Sequence, residues 1–342
     1  MKNILVTGGA GFIGSHTVVE LIAAGYRPVI IDNFSNSLES AVDGIQKITG
    51  EKPVFHKVDF TDNEKLNEII NAESIDGVIH FAAFKAVGES TQKPLKYYKN
   101  NVVGFVGLLQ LLEEKAIPLV FSSSCTVYGE PDTLPVNELA PLKPAESPYG
   151  ATKQMDEIIL RDIAHASSRF KGIALRYFNP VGAHPSSLIG ELPLGRPSNL
   201  FPIITQAVAG KGNALTVFGT DYDTPDGSCV RDYIHVVDLA QAHIKALEYL
   251  TKQTAGYYDA FNIGSGKGNT VLEVIHTFEK STGQKVPYVL GQRRKGDVVA
   301  TYADAMKANK ILGWKVEKTL ADSCLDAWHW QVQVAKIVST KV

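Results

Sequence analysis

The sequence predicts an α/β protein built on a doubly wound parallel sheet, with a smaller lobe toward the C-terminus. Three observations predict it. Short β-branched runs alternate with amphipathic segments of helix length through the first half of the chain. Glycines at 8, 11 and 14 follow the first such run and open the first helical segment. After Asn179 the texture changes: Gly, Pro, Asn and Asp become frequent and long periodic runs stop. Alternation of this kind places helices on both faces of a parallel sheet.

In chain order, the strand candidates are residues 3–7, 28–32, 54–58, 77–81, 119–123 and 172–176. Amphipathic helical segments lie between them near 12–24, 62–72, 92–115 and 148–168. Residues 183–230 read as a loop-rich lobe carrying one helix near 200–210. Residues 231–250 look like sheet and helix again, so the chain is expected to return there to the first domain. Further helical patterns stand at 270–281 and 304–312, and the tail from 319 is expected to be helical. No internal repeat or low-complexity segment interrupts this order. The expected division is therefore 1–180 for the sheet domain and mainly 181–342 for the second lobe.

Composition bounds the function. Apolar residues make up 44% of the 342 and charged residues 20%, ordinary for a globular chain with a real core. A formal charge of −2 gives no electrostatic reason to expect nucleic acid or an anionic membrane. No apolar run approaches the length of a bilayer span. The N-terminus, MKNILVTGG, enters a strand directly, without the features of a signal peptide. Cys125, Cys229 and Cys324 are far apart and odd in number, forming neither a disulfide framework nor a zinc pattern. The expectation is a soluble cytoplasmic protein with no metal, nucleic-acid or membrane partner.

Residues 7–14 read TGGAGFIG. A glycine turn between a strand and a helix is the dinucleotide fingerprint. Gly8 makes the tight turn, Gly11 admits a pyrophosphate, and Gly14 lets helix pack on strand. The helix N-terminus then faces the anion. The second strand candidate ends in Asp32, eighteen residues after Gly14. A carboxylate there bonds ribose hydroxyls and repels a 2′-phosphate, which favours NAD over NADP. The sheet domain is thus expected to be a Rossmann-type NAD-binding domain. Asp59, at the end of the third strand, can bond an adenine amino group or simply cap the helix at 62–72.

Ser122, Ser123 and Ser124 end the fifth strand candidate, where ligands of an open parallel sheet sit. The stretch SPYGATK at 147–153 follows on the next helix, with Tyr149 and Lys153 one turn apart on one face. Tyrosine is a poor base with a free pKa of about 10. A neighbouring ammonium and a cationic nicotinamide ring both favour the phenolate. Tyr149 can then accept a proton from a substrate hydroxyl while hydride leaves the same carbon. Ser124 holds that hydroxyl, and Lys153 anchors the nicotinamide ribose. By itself, such a pair is also an ordinary exposed i,i+4 pair; the glycine turn, Asp32 and the serine strand end give it its meaning.

TGGAGFIG, HFAA at 80–83, SSS at 122–124 and YGATK at 149–153 resemble the extended short-chain dehydrogenases/reductases. HFAAFKAVGES (80–90), YYKNNVVG (97–104), FSSSCTVYG (121–129), RYFNPVGAHPS (176–186), VRDYIHVVDLA (230–240), RRKGD (293–297) and WHWQ (328–331) are similar to the UDP-glucose 4-epimerase family. The resemblance runs from Lys2 to about Gln331. It implies catalytic roles for Tyr149, Ser124 and Lys153. It also implies NAD contacts from Gly8, Gly11, Phe12, Ile13, Gly14, Asp32, Asn33, Asn36, Asp59, Phe60, Phe81, Ala82, Lys85, Asn100, Tyr149, Lys153 and Phe178. For the UDP-sugar it implies Ser124, Tyr149, Asn179, Asn199, Leu200, Phe218, Arg231, Tyr233, Arg294 and Asp297. Two arginines from distant segments suit a pyrophosphate.

What the resemblance implies chemically is C4 epimerisation of UDP-glucose and UDP-galactose through a 4-keto sugar, with NAD held throughout, and a homodimer through the helices near 92–115 and 148–168. Tight anchoring of UDP and a loose grip on the hexose let the sugar present its other face. Two alternatives stay open: another nucleotide-sugar epimerase or dehydratase, and a non-catalytic NAD-binding regulator. The dehydratases carry an Asp-Glu pair after the serine strand, whereas this chain has Cys125-Thr126. Four residues after Asp297 the family places a residue beside the hexose. Here it is the small Thr301, which leaves room for 2-acetamido sugars, with Tyr302 adjacent.

Overall fold

In the computed structural model, which describes residues 2–254, 256–294 and 297–339, the strands stand where the β-branched runs lie. Lys295 and Gly296 of the RRKGD stretch and the end of the tail lie outside the described residues. The first half runs β1 Asn3–Thr7, α1 Phe12–Ala23, β2 Arg27–Asp32, α2 Ser40–Thr49, β3 Val54–Lys57, α3 Asn63–Ala72 and β4 Gly77–His80. It continues with α4 Val87–Gln92, α5 Pro94–Tyr97, a π-helical stretch Tyr98–Val103, α6 Gly104–Glu114, β5 Leu119–Ser124, α7 Pro148–Ala166 and β6 Lys171–Tyr177. The second half holds β7 Asn179–Val181, α8 Leu200–Val208, β8 Leu215–Phe218, β9 Val230–His235, α9 Val236–Thr251 and β10 Tyr257–Ile263. It ends with β11 Gly268–Thr270, α10 Val271–Thr282, β12 Tyr288–Gly291, β13 Ala300–Thr301, α11 Met306–Leu312 and α12 Leu320–Ser339.

Among the described residues the main sheet has seven parallel strands in the order β10-β6-β5-β4-β1-β2-β3. The order reverses between β1 and β4, and that switch point opens a crevice beyond the strand ends. Alternate side chains explain the two layers of helix. Ile4, Val6, Ile30, Ile79 and Val120 face the layer of α1, α2 and α9, while Leu5, Val29, Ile31, Val78 and Phe121 face α3, α6 and α7. Each such fully buried side chain contributes about 1.5–3 kcal/mol.

Two features depart from the sequence expectations. The segment expected as one helix over 92–115 is broken, because Pro94 lacks an N–H to continue α4 and instead starts α5. Helix α2 was not expected; its Gly44 sits so close to Leu188 and Ile189 that a Cβ would meet both at 2.6 Å. As expected for 231–250, the chain returns to the first domain there, through α9, which packs on α1 in the main core, and it re-enters the main sheet at β10. The remaining strands form a small sheet, β11-β9-β13 with β7 also paired to β9, and a β12-β8 pair. Their own core gathers Val181, Phe201, Ile204, Val217, Tyr233 and Phe278.

Candidate active site

The glycine turn brings backbone, not side chains, to the crevice. Gly8 has φ 69°, and its N–H donates to the Ile31 carbonyl at 2.8 Å. A Cβ on Gly8 would lie 2.9 Å from Ala82 N, and one on Gly14 would lie 2.3 Å from Gly8 O. Neither position accepts a side chain. Helix α1 starts at Gly11 with no side-chain cap, so Phe12 and Ile13 present first-turn amides to whatever anion sits there. Beyond the turn lies an open cleft lined by Gly8, Asp32, Asn33, Asn36, Phe60, Phe81, Ala82 and Asn100. The unfilled cap and the side-chain-free turn fit a bound dinucleotide.

Asp32 is tied down from three sides. It accepts from Ala10 N at 3.0 Å, Phe34 N at 2.9 Å and Ser37 Oγ at 2.7 Å. Its carboxylate is held at the cleft wall with lone pairs to spare. The helix-cap alternative for Asp59 falls away, because Asp62 caps α3 by accepting from Lys65 N. Asp59 instead accepts from Asn33 Nδ2 at 2.8 Å and from Thr61.

At the reacting end, tertiary contacts separate three serines that look alike in sequence. The Ser122 hydroxyl pairs with the Tyr177 hydroxyl, and Ser123 donates to the Glu157 carboxylate. Glu157 is in turn clamped by the Arg176 guanidinium at 2.6 Å. Ser124 accepts from Thr126 N at 3.2 Å, and its hydroxyl lies beside the Tyr149 phenol, favouring the phenolate.

Helix α7 starts where it does because Ser147 caps Gly150 N at 3.1 Å and Pro148 occupies the first turn. Tyr149 and Lys153 then share the face toward β5. Burial, and next the neighbouring Tyr177, push the Tyr149 pKa above its ordinary value. Burial lowers Lys153 to about 8, against the upward pull of Asp156 and Glu157. Its ammonium donates to the Ser122 carbonyl at 2.7 Å and lies 4.5 Å from the Phe121 ring centre. In the protein alone, burial outweighs any phenolate-favouring effect of the lysine. Asp156, 1% exposed and one turn beyond Lys153, has no hydrogen-bond partner for either carboxylate oxygen among the described residues. Burial raises its pKa to about 8.

The second lobe gathers most of the other expected residues. Arg294 grips Asp297 at 2.7 Å and lies 5.6 Å from the Phe218 ring centre, and Arg231 stands 4.0 Å from the same carboxylate. Asn179 donates to the Asp232 carbonyl at 2.9 Å. Tyr233 and Phe178 are core residues, the first packed on Phe201 and the second beside Tyr128 and Val136. Leu200 opens α8 directly after Asn199.

Thr301 pairs with Arg231 across β13 and β9, so the two side chains share a face. Tyr302 takes the opposite face: a Cβ on Gly268 would meet its ring at 3.0 Å. The adjacent aromatic therefore points away from the Arg231 side.

Sequence reasoning missed Glu191. It accepts from Asn199 Nδ2 at 2.6 Å and stands 3.8 Å from the Lys85 ammonium, joining an expected substrate residue to an expected cofactor residue. Burial raises its pKa. It also missed Asp156 and Asn101. Asp156 lies on the stripe 149, 153, 156, 160, and Asn101 follows Asn100 directly, so spacing alone held a signal for both. Among the described residues no cluster of three His, Cys, Asp or Glu side chains forms a metal donor set, and no helix is long and apolar enough to cross a membrane.

A protein-family model described as GDP-mannose 4,6 dehydratase matches residues 5–326. The chain is 52% identical over 329 residues to a UDP-glucose 4-epimerase of Dictyostelium discoideum, covering 96% of this chain and 95% of that one. Its fold matches a UDP-glucose-4-epimerase from Stenotrophomonas maltophila, crystallised with NAD and formylated UDP-arabinopyranose. The TM-score is 0.96 at 47% identity, over 98% of this chain and 100% of that chain. A Bifidobacterium longum UDP-glucose 4-epimerase in complex with NAD+ and UDP matches with TM-score 0.92 at 44% identity, over 97% and 98% of the chains.

Proposed function

The chain belongs to the UDP-glucose 4-epimerase family of the extended short-chain dehydrogenases/reductases, and from that premise we infer how its own residues perform the reaction. It is an NAD-dependent enzyme that interconverts UDP-glucose and UDP-galactose. The observation that carries the residue assignment is that the Lys153 ammonium of α7 is fastened to the Ser122 carbonyl at 2.7 Å, which sets the Tyr149–Lys153 face of the helix against the strand end that carries Ser124.

Bound NAD supplies the hydride acceptor and then the hydride donor at C4. The other steps fall to the protein. Backbone amides after Gly11 and the Asp32 carboxylate hold the dinucleotide. Ser124 orients the C4 hydroxyl. Tyr149 takes its proton as the C4–H bond breaks, and returns it when the 4-keto sugar is reduced on its other face, so protons and electrons balance without an outside oxidant. Burial holds Tyr149 neutral in the protein alone, so added positive charge at the site is what makes the phenolate accessible. Arg231, Arg294 and Phe218 suit the UDP end, which leaves the hexose free to turn. Incubation with UDP-galactose and no added NAD should yield UDP-glucose; no product would overturn the reading.

Thr301 on the Arg231 face supports a wider substrate range that includes UDP-N-acetylglucosamine and UDP-N-acetylgalactosamine. Exposed Leu95, Val103, Met155 and Ile158, on the helices near 92–115 and 148–168, support a homodimer, which light scattering tests. Three unpaired cysteines suit a cytoplasmic protein, which cell fractionation tests. We assign residues 1–180, together with α9 and β10 where the chain returns to the main sheet, to a NAD-binding domain and mainly the rest of 181–342 to a UDP-sugar lobe; limited proteolysis between them tests that division.

A further inference from the structure

A carboxylate buried without a hydrogen bond is costly, and a folded chain keeps one only where something offsets it. Asp156 of α7 is such a group. It is 1% exposed, and neither oxygen has a hydrogen-bond partner among the described residues. It follows Lys153 by three residues and Tyr149 by seven, so all three side chains fall on one face of the helix.

The adjacent Glu157 is as deeply buried but fully engaged. Arg176 of β6 donates to it at 2.6, 2.9 and 3.1 Å, and Ser123 adds a further hydrogen bond. One buried cation thus answers one buried carboxylate. By the same matching, Lys153, 3% exposed, is the cation for Asp156. Its ammonium is fastened to the neutral Ser122 carbonyl at 2.7 Å, which brings it no countercharge.

The charged and titratable groups on the elements around α7 are committed elsewhere. Tyr177 of β6 pairs with Ser122, and His80 of β4 bonds Thr7 Oγ1 at 2.7 Å, where burial holds its ring neutral. Lys96 and Tyr97 of α5 bond Glu89 of α4 at 2.9 and 3.1 Å. Glu113 of α6 accepts from Ser167 at 2.9 Å, and Asp259 of β10 is paired with Lys307. Tyr128 donates to Asn262 at 2.7 Å, and burial keeps Cys125 and Tyr258 protonated. Lys99 of the π-helical stretch is exposed.

We propose that Asp156 is a positioning residue of the epimerase reaction: as the counter-ion of Lys153 on the face that carries Tyr149, it fixes the pH range over which the lysine stays an ammonium and the phenol exchanges its proton. The inference rests on the epimerase reading above and deepens it. The effect has the same sign at both groups. Burial pulls Lys153 toward the neutral amine, and Asp156 is the largest charge opposing that. At Tyr149, burial and then Tyr177 hold the phenol neutral, and Asp156 adds to them. A negative charge at 156 therefore keeps the ammonium to higher pH and delays the phenolate to higher pH. Removing it moves both limbs of the rate profile toward acid. A residue that served packing alone would move neither, and an apolar side chain would serve packing better.

The test uses the full chain with its bound NAD. Asp156→Asn keeps the shape without the charge, and Asp156→Leu puts an apolar side chain in its place. Turnover of UDP-galactose per bound NAD is followed from acid to alkaline pH, with melting temperature recorded to separate a shifted profile from a damaged fold. Both limbs should move to lower pH by about one unit, the effect of one nearby charge. Turnover on the alkaline side should then fall about tenfold, while turnover on the acid side rises. A profile superimposable on wild type, or limbs that move toward alkali, would overturn the proposal. Failure of both variants to fold with NAD would make Asp156 a structural residue and overturn it too. Wild type inactive on UDP-galactose would sink the epimerase reading and this inference together, whereas an active wild type with unmoved variants sinks only the inference.

Discussion

The Lys153 ammonium donates to the Ser122 carbonyl at 2.7 Å rather than to the Tyr149 phenol one turn before it on α7. The lysine is thereby fastened to the end of β5, the strand that also presents Ser124. Helix and strand are locked together where the hydroxyls meet.

Tyr149→Phe should retain bound NAD and fold normally, because the glycine turn and Asp32 do not use the phenol. Turnover of UDP-galactose should fall by about 10²–10⁴, the usual worth of general acid–base catalysis. A loss smaller than about tenfold would remove Tyr149 as the proton acceptor.

Burial holds the Lys153 pKa below the ordinary lysine value, so its ammonium is lost at lower pH than that of an exposed lysine. Wild-type kcat should show an alkaline limb below the ordinary lysine range, belonging to the Lys153–Asp156 pair rather than to either group alone. Lys153→Met has no ammonium at any pH. It should turn over more slowly, lack that limb, and need higher pH to form the Tyr149 phenolate. A profile superimposable on wild type would leave the lysine with a purely anchoring role.

Asp32→Ala should lose NAD affinity by about tenfold or more, since a hydrogen bond to a charged group contributes about 1.5–3 kcal/mol. Binding of NADP should improve relative to NAD, because the repelling carboxylate is gone. Asp32 also accepts from Ala10 N, Phe34 N and Ser37 Oγ, so some melting temperature should be lost as well. Equal wild-type affinity for the two cofactors would contradict the assignment.

Thr301→Tyr should abolish turnover of the N-acetylated UDP-sugars while sparing UDP-galactose. Wild type should epimerise them within about two orders of magnitude of UDP-galactose in kcat/KM, as pocket discrimination worth about 1–3 kcal/mol allows. Changing Tyr302 should have no such effect, because its ring packs over Gly268 on the other face. Failure of wild type on these sugars, or sensitivity at Tyr302 alone, would defeat the wider range.

What the sequence by itself determined was everything that local chemistry dictates. Strands β1 to β6 fall within about a residue of their β-branched runs, because alternation and turn residues mark both ends. The TGGAGFIG turn, the Ser147-Pro148 start of α7 and the Tyr149–Lys153 interval all follow from neighbours in the chain. Only the tertiary structure decided among residues that are locally equivalent. Ser122, Ser123 and Ser124 differ solely in what Tyr177, Glu157 and Tyr149 bring to them from elsewhere. Thr301 and Tyr302 are told apart by pairing with β9 and packing on Gly268. Strand β10 is a strand because the free edge of β6 accepts it, and Asn101 and Glu191 gain meaning from partners 17, 51 and 106 residues away, at Phe84, Thr152 and Lys85. A hydrogen bond or a strand pairing between distant segments leaves no periodic trace in either one, so it becomes visible only once the chain has folded.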